Sequence, residues 1–209
     1  MATGKPRLYL ITPPISDRAF LSPPLEAAIA ACDVACVLLR TGGTSETQET
    51  SLRALIPLLQ KHNIACLVED DPQLALRVNA DGVHVKGAGT ELQAALRALQ
   101  PGRIAGAGSL TTRDAAMTAG EAGADYLMFG GPDDLEPRAH IAVQVAWWAE
   151  IFNVPCVGYA HDLDAIGDLV RAGAEFIALG EAIFADPRGA EAALRDAYGL
   201  ISSMPETVQ

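Results

Sequence analysis

The sequence has few basic residues and no long apolar run. Its 209 residues carry 15 lysines and arginines against 26 aspartates and glutamates, a formal net charge of −11, and the basic residues form no cluster. Nucleic acids and anionic membranes attract clustered Lys and Arg, so we expect neither as a partner. No apolar stretch approaches the ~20 residues that cross a bilayer, and residues 1–6 lack the apolar core of a signal peptide. These absences predict a cytoplasmic protein.

Cysteine and aromatic residues are also scarce. The four cysteines have no CxxC spacing, which argues against a zinc site or a disulfide framework and predicts buried thiols. Half of the residues are apolar and only 5% are aromatic, which is typical of helices packed on buried strands. We therefore predict an α/β fold with a single domain over residues 1–209, ending in a polar tail at 203–209.

Three segments, at 79–85, 123–130 and 173–180, share one pattern. Each begins with Gly or Asn, which tolerate the left-handed conformation that ends many helices. An alanine, an acid and a short apolar run follow. A nearly continuous apolar run indicates a strand buried on both faces, as in parallel sheets covered by helices. The repeat therefore predicts alternating helices and strands.

Periodicity along the chain predicts eight strands and eight helices in alternation. The predicted strands span 7–11, 35–40, 65–68, 82–85, 104–107, 126–129, 155–158 and 176–179. The predicted helices span 25–31, 46–62, 72–78, 91–99, 112–122, 141–152, 163–172 and 187–202. This count predicts a (β/α)8 TIM barrel. A doubly wound sheet alternates in the same way, but no GxGxxG turn follows the first strand.

In such a barrel the active site is built by the segments that follow the strands. Those segments contain Arg40, Asp70, Lys86, Ser109, Gly131 and Gly180, and Arg138 follows the sixth of them. These seven residues are the candidate site residues. Because the chain is acidic overall, a phosphorylated ligand would need locally placed cations or backbone amides.

Four segments occur in the order and spacing of a known family. Residues 8–12 are similar to its opening strand, and residues 75–84, ending in Ala-Asp-Gly-Val-His, to its most recognisable segment. The segments 123–132 and 173–184 complete the pattern. From Leu8 to about Asp186, the chain resembles thiamine phosphate synthase and its thiazole-tautomerase relatives.

The resemblance implies a barrel that joins hydroxymethylpyrimidine pyrophosphate to thiazole phosphate and releases pyrophosphate. In that family a Mg²⁺-bound pyrimidine pyrophosphate ionises, and the thiazole phosphate captures the carbocation. The chemistry needs cations for the leaving pyrophosphate and carboxylates for Mg²⁺. By position, the resemblance assigns Arg40 and Asp70 to catalysis, with Asp70 as the Mg²⁺ ligand. Mg²⁺ is expected if the chain is active, and otherwise no cofactor.

Several positions depart from the family pattern. Of a basic motif after the second strand only Arg40 remains, and Glu69 replaces the amide beside the metal-binding aspartate. A second metal-binding aspartate falls near Gly89. The serine after the fifth strand falls at Gly108, beside Ser109.

The remaining departures affect phosphate binding. The pyrophosphate clamp falls near Glu136 and Arg138, and a glycine pair after the seventh strand falls at Tyr159 and Ala160. The serine after the eighth strand becomes Glu181. A carboxylate ~5 Å from a phosphate would cost ~3 kcal/mol per unit charge at an effective dielectric of ~20. We therefore expect weak or absent transferase activity.

Each candidate also has a purely structural explanation. Arg40 could pair with Glu69 or Asp70 across neighbouring strands, and Asp70 could be the N-cap of the helix that begins at Pro72. Lys86 and Arg138 could replace lost phosphate contacts or be solvated surface charges. For His84, at a strand end, we predict a scaffold hydrogen bond rather than catalysis; His140 and His161 receive no role.

Three functions therefore stay open. The first is a thiamine phosphate synthase-like protein with weak or lost activity. The second is a non-catalytic or regulatory relative that binds a small phosphorylated heterocycle, and the third is an isomerase of the thiazole-tautomerase type, which would need a general base. Trp147 and Trp148 lie ~100° apart on a helix, so one can face the core while the other, beside Ile151, lies in the interface of a homo-oligomer. The alternative is that both pack at the edges of one core.

Overall fold

Eight parallel strands close into a barrel in chain order, and β1 pairs with β8. The computed structural model describes residues 4–15, 23–42, 45–134 and 136–204. The strands are β1 (Arg7–Ile11), β2 (Val34–Leu39), β3 (Ala65–Glu69), β4 (Gly82–Lys86), β5 (Ile104–Gly108), β6 (Tyr126–Phe129), β7 (Cys156–Ala160) and β8 (Phe176–Leu179). The prediction of a (β/α)8 TIM barrel is confirmed.

Helices surround the barrel. They are α1 (Pro23–Ala31), α2 (Ser45–Gln60), α3 (Pro72–Arg77), α4 (Thr90–Leu99), α5 (Arg113–Ala122), α6 (Arg138–Ile151), α7 (Ile166–Arg171), α8 (Glu181–Phe184) and α9 (Ala190–Ser203), with a 3₁₀ turn at Leu163–Ala165. The helix predicted at 187–202 corresponds to α9, whose N-cap is Gly189 with a φ of 94°. The sequence pattern does not predict the short α8, which begins directly after Gly180. Of the predicted polar tail, residues 205–209 lie outside the described residues.

The repeated acid joins strands at the N-terminal end of the barrel. Asp81 Oδ2 accepts a hydrogen bond from the Cys66 amide at 2.8 Å. Asp125 Oδ2 accepts one from the Ala105 amide at 2.7 Å, and Glu175 Oε2 accepts one from Cys156 at 2.9 Å. Each acid thus fastens the start of its own strand to the preceding strand. The repeat therefore encodes strand pairing as well as helix ends.

The interior of the barrel holds its own cluster of buried side chains, separate from the larger core between strands and helices. The cluster includes Tyr9, Ile11, Leu38, Leu67, Tyr126, Met128, Val157 and Tyr159. The four thiols are free. Burial raises the pKa of Cys36, Cys66 and Cys156, so these three are the unreactive buried thiols that the sequence predicts.

The two tryptophans of α6 face different surroundings. Trp148 is 1% exposed, and its Nε1 donates to the Val154 carbonyl at 2.8 Å. Trp147 is only partly buried, and the Arg113 guanidinium lies 4.6 Å from its ring. Beside it Ile151 is 59% exposed, so self-association through α6 stays a prediction. Within the described residues, no helix is long and apolar enough to cross a membrane.

Candidate active site

Arg40 lies at the C-terminal mouth of the barrel and pairs with two acids. Its Nη2 donates to both carboxylate oxygens of Asp133, at 3.0 and 2.7 Å. Its Nε lies 3.4 Å from Glu69 Oε1, which is an ion-pair distance, but that buried Nε makes no hydrogen bond. Asp133 is therefore the stronger partner. The predicted pairing of Arg40 with Glu69 is present as a longer contact.

Lys86, the last residue of β4, contacts the same two acids. Its Nζ lies 3.2 Å from Asp133 Oδ2 and 3.4 Å from Glu69 Oε1. Burial acts to lower the pKa of Lys86, but the hydrogen bond to Asp133 and the charge of Glu69 outweigh it and raise that pKa. The same contacts with Lys86 and Arg40 outweigh burial at Asp133 and lower its pKa. Two cations and two carboxylates thus form one network, hereafter the mouth cluster: Arg40, Glu69, Lys86 and Asp133.

The loop after β6 brings Asp133 into this cluster. Gly130 has a φ of 74°, a conformation that favours glycine. A Cβ on Gly131 would lie 2.9 Å from Asp134 Oδ2, so the loop folds back closely there. Ser109 Oγ donates to Asp134 Oδ1 at 3.4 Å. Ser109 and Gly131 therefore lie at the site but contact the acidic loop.

A small cavity borders the mouth cluster. This upper cavity, between the ends of β3, β4, β5 and β6, is lined by Glu69, His84, Lys86, Ser109, Gly131 and Asp133 among others and has a volume of about 20 Å³. That is room for about one water molecule. A phosphorylated heterocycle therefore does not fit within this cavity alone.

Asp70 and Asp71 have different contacts, and only one of them caps helix α3. The N-cap of α3 is Asp71, whose side chain accepts from the Leu74 amide at 2.8 Å. The capping role considered for Asp70 is therefore wrong. Asp70 has a φ of 57°, and its Oδ1 accepts from the Lys86 amide at 3.0 Å. This left-handed turn aims Asp70 back at β4, away from the start of α3.

A Mg²⁺ ion would find few ligands at this mouth. Among the described residues, no group of three or more acidic, histidine or cysteine side chains is close enough to hold a metal ion. Mg²⁺ is commonly bound by one or two carboxylates together with substrate phosphates and water. Asp70 is exposed and fits the role of a single carboxylate ligand. Glu69 is already engaged by two cations.

Two predicted binding residues lie away from the mouth cluster. Arg138 begins α6, and its Nη2 lies 2.9 Å from Asp168 Oδ2; its Nη1 lies 3.5 Å from Asp162. Arg138 does not line the upper cavity. At Gly180, after β8, a Cβ would lie 3.3 Å from the Tyr159 hydroxyl. The Tyr159 hydroxyl therefore lies directly beside Gly180.

His84 is held by a hydrogen-bonded chain inside the barrel. Its Nδ1 is hydrogen-bonded to the Tyr126 hydroxyl at 2.7 Å, which is hydrogen-bonded to the Tyr9 hydroxyl at 2.8 Å. Burial, aided by the charge of Lys86, lowers the pKa of His84 from 6.5 to about 4. The predicted scaffold hydrogen bond is confirmed.

The other two histidines lie apart from the upper cavity. His140 Nδ1 lies 3.7 Å from Glu136 on an exposed part of α6. The ring of His161 packs edge-on against Tyr159, with 4.9 Å between centroids. Neither arrangement supplies a base to the site.

The sequence does not reveal which residues pair with the cations of the mouth cluster or hold His84. The sequence predicts no contact of Asp133 with Arg40 or Lys86, because those residues are 93 and 47 positions away. Tyr126 is recognisable in the sequence only as a strand residue. The available signal for its hydrogen bond with His84 is that both residues face inward on strands two apart. That signal can be used only once the barrel is known to be closed.

The fold and site define a (β/α)8-barrel protein with an ionic candidate site at the C-terminal ends of its strands. The sequence model of the family described as Thiamine monophosphate synthase matches residues 8–183. Thiamine-phosphate synthase of Rhodospirillum centenum is 39% identical over 198 residues, covering 91% of this chain and 95% of the relative. That of Hyphomonas neptunium is 32% identical, covering 95% of each chain. The chain belongs to the thiamine monophosphate synthase family, whose setting is thiamine biosynthesis.

The fold agrees with a solved structure of the same description. Thiamine phosphate pyrophosphorylase from Pyrococcus furiosus superposes with a TM-score of 0.76 at 22% identity, covering 94% of this chain and 95% of that chain. At that identity the likeness establishes the barrel alone.

Proposed function

We propose that this chain is a thiamine phosphate synthase-like protein whose transferase activity is weak or lost. The observation that carries the proposal is the mouth cluster, in which Asp133 and Glu69 engage both cations. The mouth holds two cations against four carboxylates: Glu69, Asp70, Asp133 and Asp134. An anionic ligand meets net negative charge there, where the family reaction needs positive charge.

Residual activity would require the mouth cluster to open. Asp133 is 49% exposed, so its side chain can leave without crossing a packed core. Arg40 and Lys86 would then donate to the pyrophosphate and stabilise it as a leaving group. Asp70 would hold Mg²⁺, which supplies further positive charge to the pyrophosphate when bound. Opening the cluster costs the ion pairs of Asp133, and this cost weakens binding.

The thiazole phosphate would meet a second obstacle across the barrel. Tyr159 is 3% exposed, and burial followed by the charge of Glu181 raises its pKa. Glu181 is exposed, so solvent reduces its repulsion of a phosphate below the ~3 kcal/mol that applies in a less polar setting. The Tyr159 side chain beside Gly180 and the negative charge of Glu181 next to it both disfavour a phosphate there.

Two other functions follow from the same site with less support. A non-catalytic or regulatory relative would bind a small phosphorylated heterocycle at Arg40 and Lys86 without turnover. An isomerase would need a general base, and His84 is the histidine that lines the upper cavity. With a pKa of about 4, His84 is a weak proton acceptor at neutral pH.

Calorimetry with Mg²⁺, using each substrate alone, tests the proposal. We expect binding of hydroxymethylpyrimidine pyrophosphate and of thiazole phosphate to be much weaker than for a synthase that retains the family's phosphate residues. Equally tight binding of both would refute the proposal. Tight binding of thiazole phosphate alone, with conversion of its tautomer, would favour the isomerase. Binding of neither substrate would place the protein outside thiamine chemistry.

A further inference from the structure

A second cavity lies at the opposite, N-terminal end of the barrel. This lower cavity has a volume of about 330 Å³, against about 20 Å³ at the upper cavity. Its walls include Ala35, Ala65, Ile104, Pro155, Val157 and Phe176, with Tyr9 and Tyr126 deeper inside. Of these two cavities, the larger therefore lies away from the candidate active site.

Small side chains leave this space open. Barrel interiors are commonly filled by layers of bulky branched residues. Here Ala35 and Ala65 occupy the starts of β2 and β3, and the ring of Tyr126 lies across Gly106. A Cβ on Gly106 would lie 2.0 Å from that ring. The Tyr126 side chain thus points toward His84, and the space on its N-terminal side within the barrel stays unfilled.

The walls favour an uncharged occupant. Most of the lining residues are aliphatic or aromatic. The described charged residues at the rim already have partners. Arg7 donates to both oxygens of Asp33, at 2.8 to 3.1 Å, and Asp125 accepts from the Ala105 amide. A charged ligand would compete with these pairs, whereas an apolar ring displaces only water from apolar walls.

We propose that the lower cavity is a binding site for a small, uncharged aromatic molecule of one or two rings. An apolar cavity of about 150 Å³ holds benzene, so a volume of about 330 Å³ accommodates a larger ring system. The aromatic rings of Tyr9, Tyr126 and Phe176 offer the offset or edge-on contacts that such molecules prefer.

The lower cavity also adjoins the hydrogen-bonded chain that reaches the upper cavity. Tyr126 lines the lower cavity and is hydrogen-bonded to His84, which lines the upper one. An occupant that contacts Tyr126 therefore lies one side chain away from the candidate active site.

Ligand-observed NMR titration of the full chain tests the proposal with four probes: toluene, indole, benzoate and benzylammonium. We expect saturable binding of toluene and indole, and binding at least roughly tenfold weaker for the two charged probes. Failure of both neutral probes to bind up to their solubility limits would overturn the proposal. Binding of benzoate as tight as that of toluene would also overturn it.

Two cavity variants and a control locate the site. Ala65→Leu fills the cavity, and we expect indole to bind roughly tenfold more weakly, since added methylenes cannot share occupied space. Val157→Ala enlarges the cavity, and we expect indole binding to be retained or tightened. Ala94→Leu, on the exposed face of α4, is the control and should leave binding unchanged. If all three variants fold and bind indole like wild type, the ligand binds elsewhere and the proposal is wrong.

Discussion

Replacing Asp133 with asparagine should strengthen pyrophosphate binding. The substitution removes one negative charge that lies 2.7 Å from Arg40 and 3.2 Å from Lys86, and it keeps a side chain that can still accept a hydrogen bond from Arg40. A pyrophosphate oxygen held by those two cations would lie ~5 Å from the Asp133 carboxylate. At an effective dielectric of ~20, two unit charges at that distance repel by ~3 kcal/mol.

The measurable gain is smaller than this repulsion. Asp133 is 49% exposed, so solvent and salt screen its charge, and the side chain can rotate away from the ligand. Taking roughly half of the repulsion leaves about 1.4 kcal/mol, which corresponds to about tenfold tighter binding.

Calorimetric titration with inorganic pyrophosphate and Mg²⁺, at low salt and again near 0.5 M salt, measures the effect. Asp196→Asn is the matched control, because Asp196 is 50% exposed and lies 2.8 Å from Arg188 Nη1, remote from the mouth. The gain from Asp133→Asn should shrink at high salt, and the control should change the affinity little. An unchanged or weaker affinity in Asp133→Asn at low salt would show that Asp133 does not restrain the two cations.

Three further predictions concern the supports of the site. In the folded chain His84 has a pKa lowered to about 4, whereas in the unfolded chain it takes up a proton below about pH 6.5. The free energy of unfolding should therefore fall by up to roughly 3 kcal/mol between pH 6.5 and 4. Urea titrations should show a shallower fall in His84→Gln but not in the exposed control His140→Gln. Tyr126→Phe removes one hydrogen bond from each of two buried side chains, His84 and Tyr9, and should cost about 1 to 3 kcal/mol in urea unfolding. An equal loss in Tyr198→Phe would refute this reasoning. Asp71→Ala removes the N-cap of α3 and should cost about 1 kcal/mol; no change in the thermal midpoint would show that the cap is dispensable.

Much of the barrel is predictable because its signals are local. The Gly and Asn positions that end helices, and the apolar runs that follow them, lie within eight residues of each other in each repeat. The same reliance on local patterns explains why α8 is not predicted, because its four residues, 181–184, are too few to show a helical period. Only the closed barrel shows that the repeated acids at positions 81, 125 and 175 fasten neighbouring strands.

The ion pairs at the candidate site are less predictable from the sequence, since they depend on contacts between loops that are distant along the chain. The position of Arg40 follows from its place after β2, but its pairing with Asp133 requires the loop after β6 to fold back at Gly131. The choice between Asp70 and Asp71 as helix cap shows in the hydrogen bond from the Leu74 amide to Asp71 and in the φ of 57° at Asp70. One sequence signal distinguishes these two acids, because Pro72 at the first helical position makes the residue directly before it, Asp71, the N-cap.

Turnover of both substrates with Mg²⁺ tests the central claim most directly. The purified chain and a synthase that retains the family's phosphate residues should be assayed side by side for thiamine phosphate formation. The mouth cluster predicts little or no product from this chain, together with a gain in Asp133→Asn if any activity is detectable. Turnover comparable to that synthase, abolished by Arg40→Ala or Asp70→Ala, would contradict the proposed loss of function.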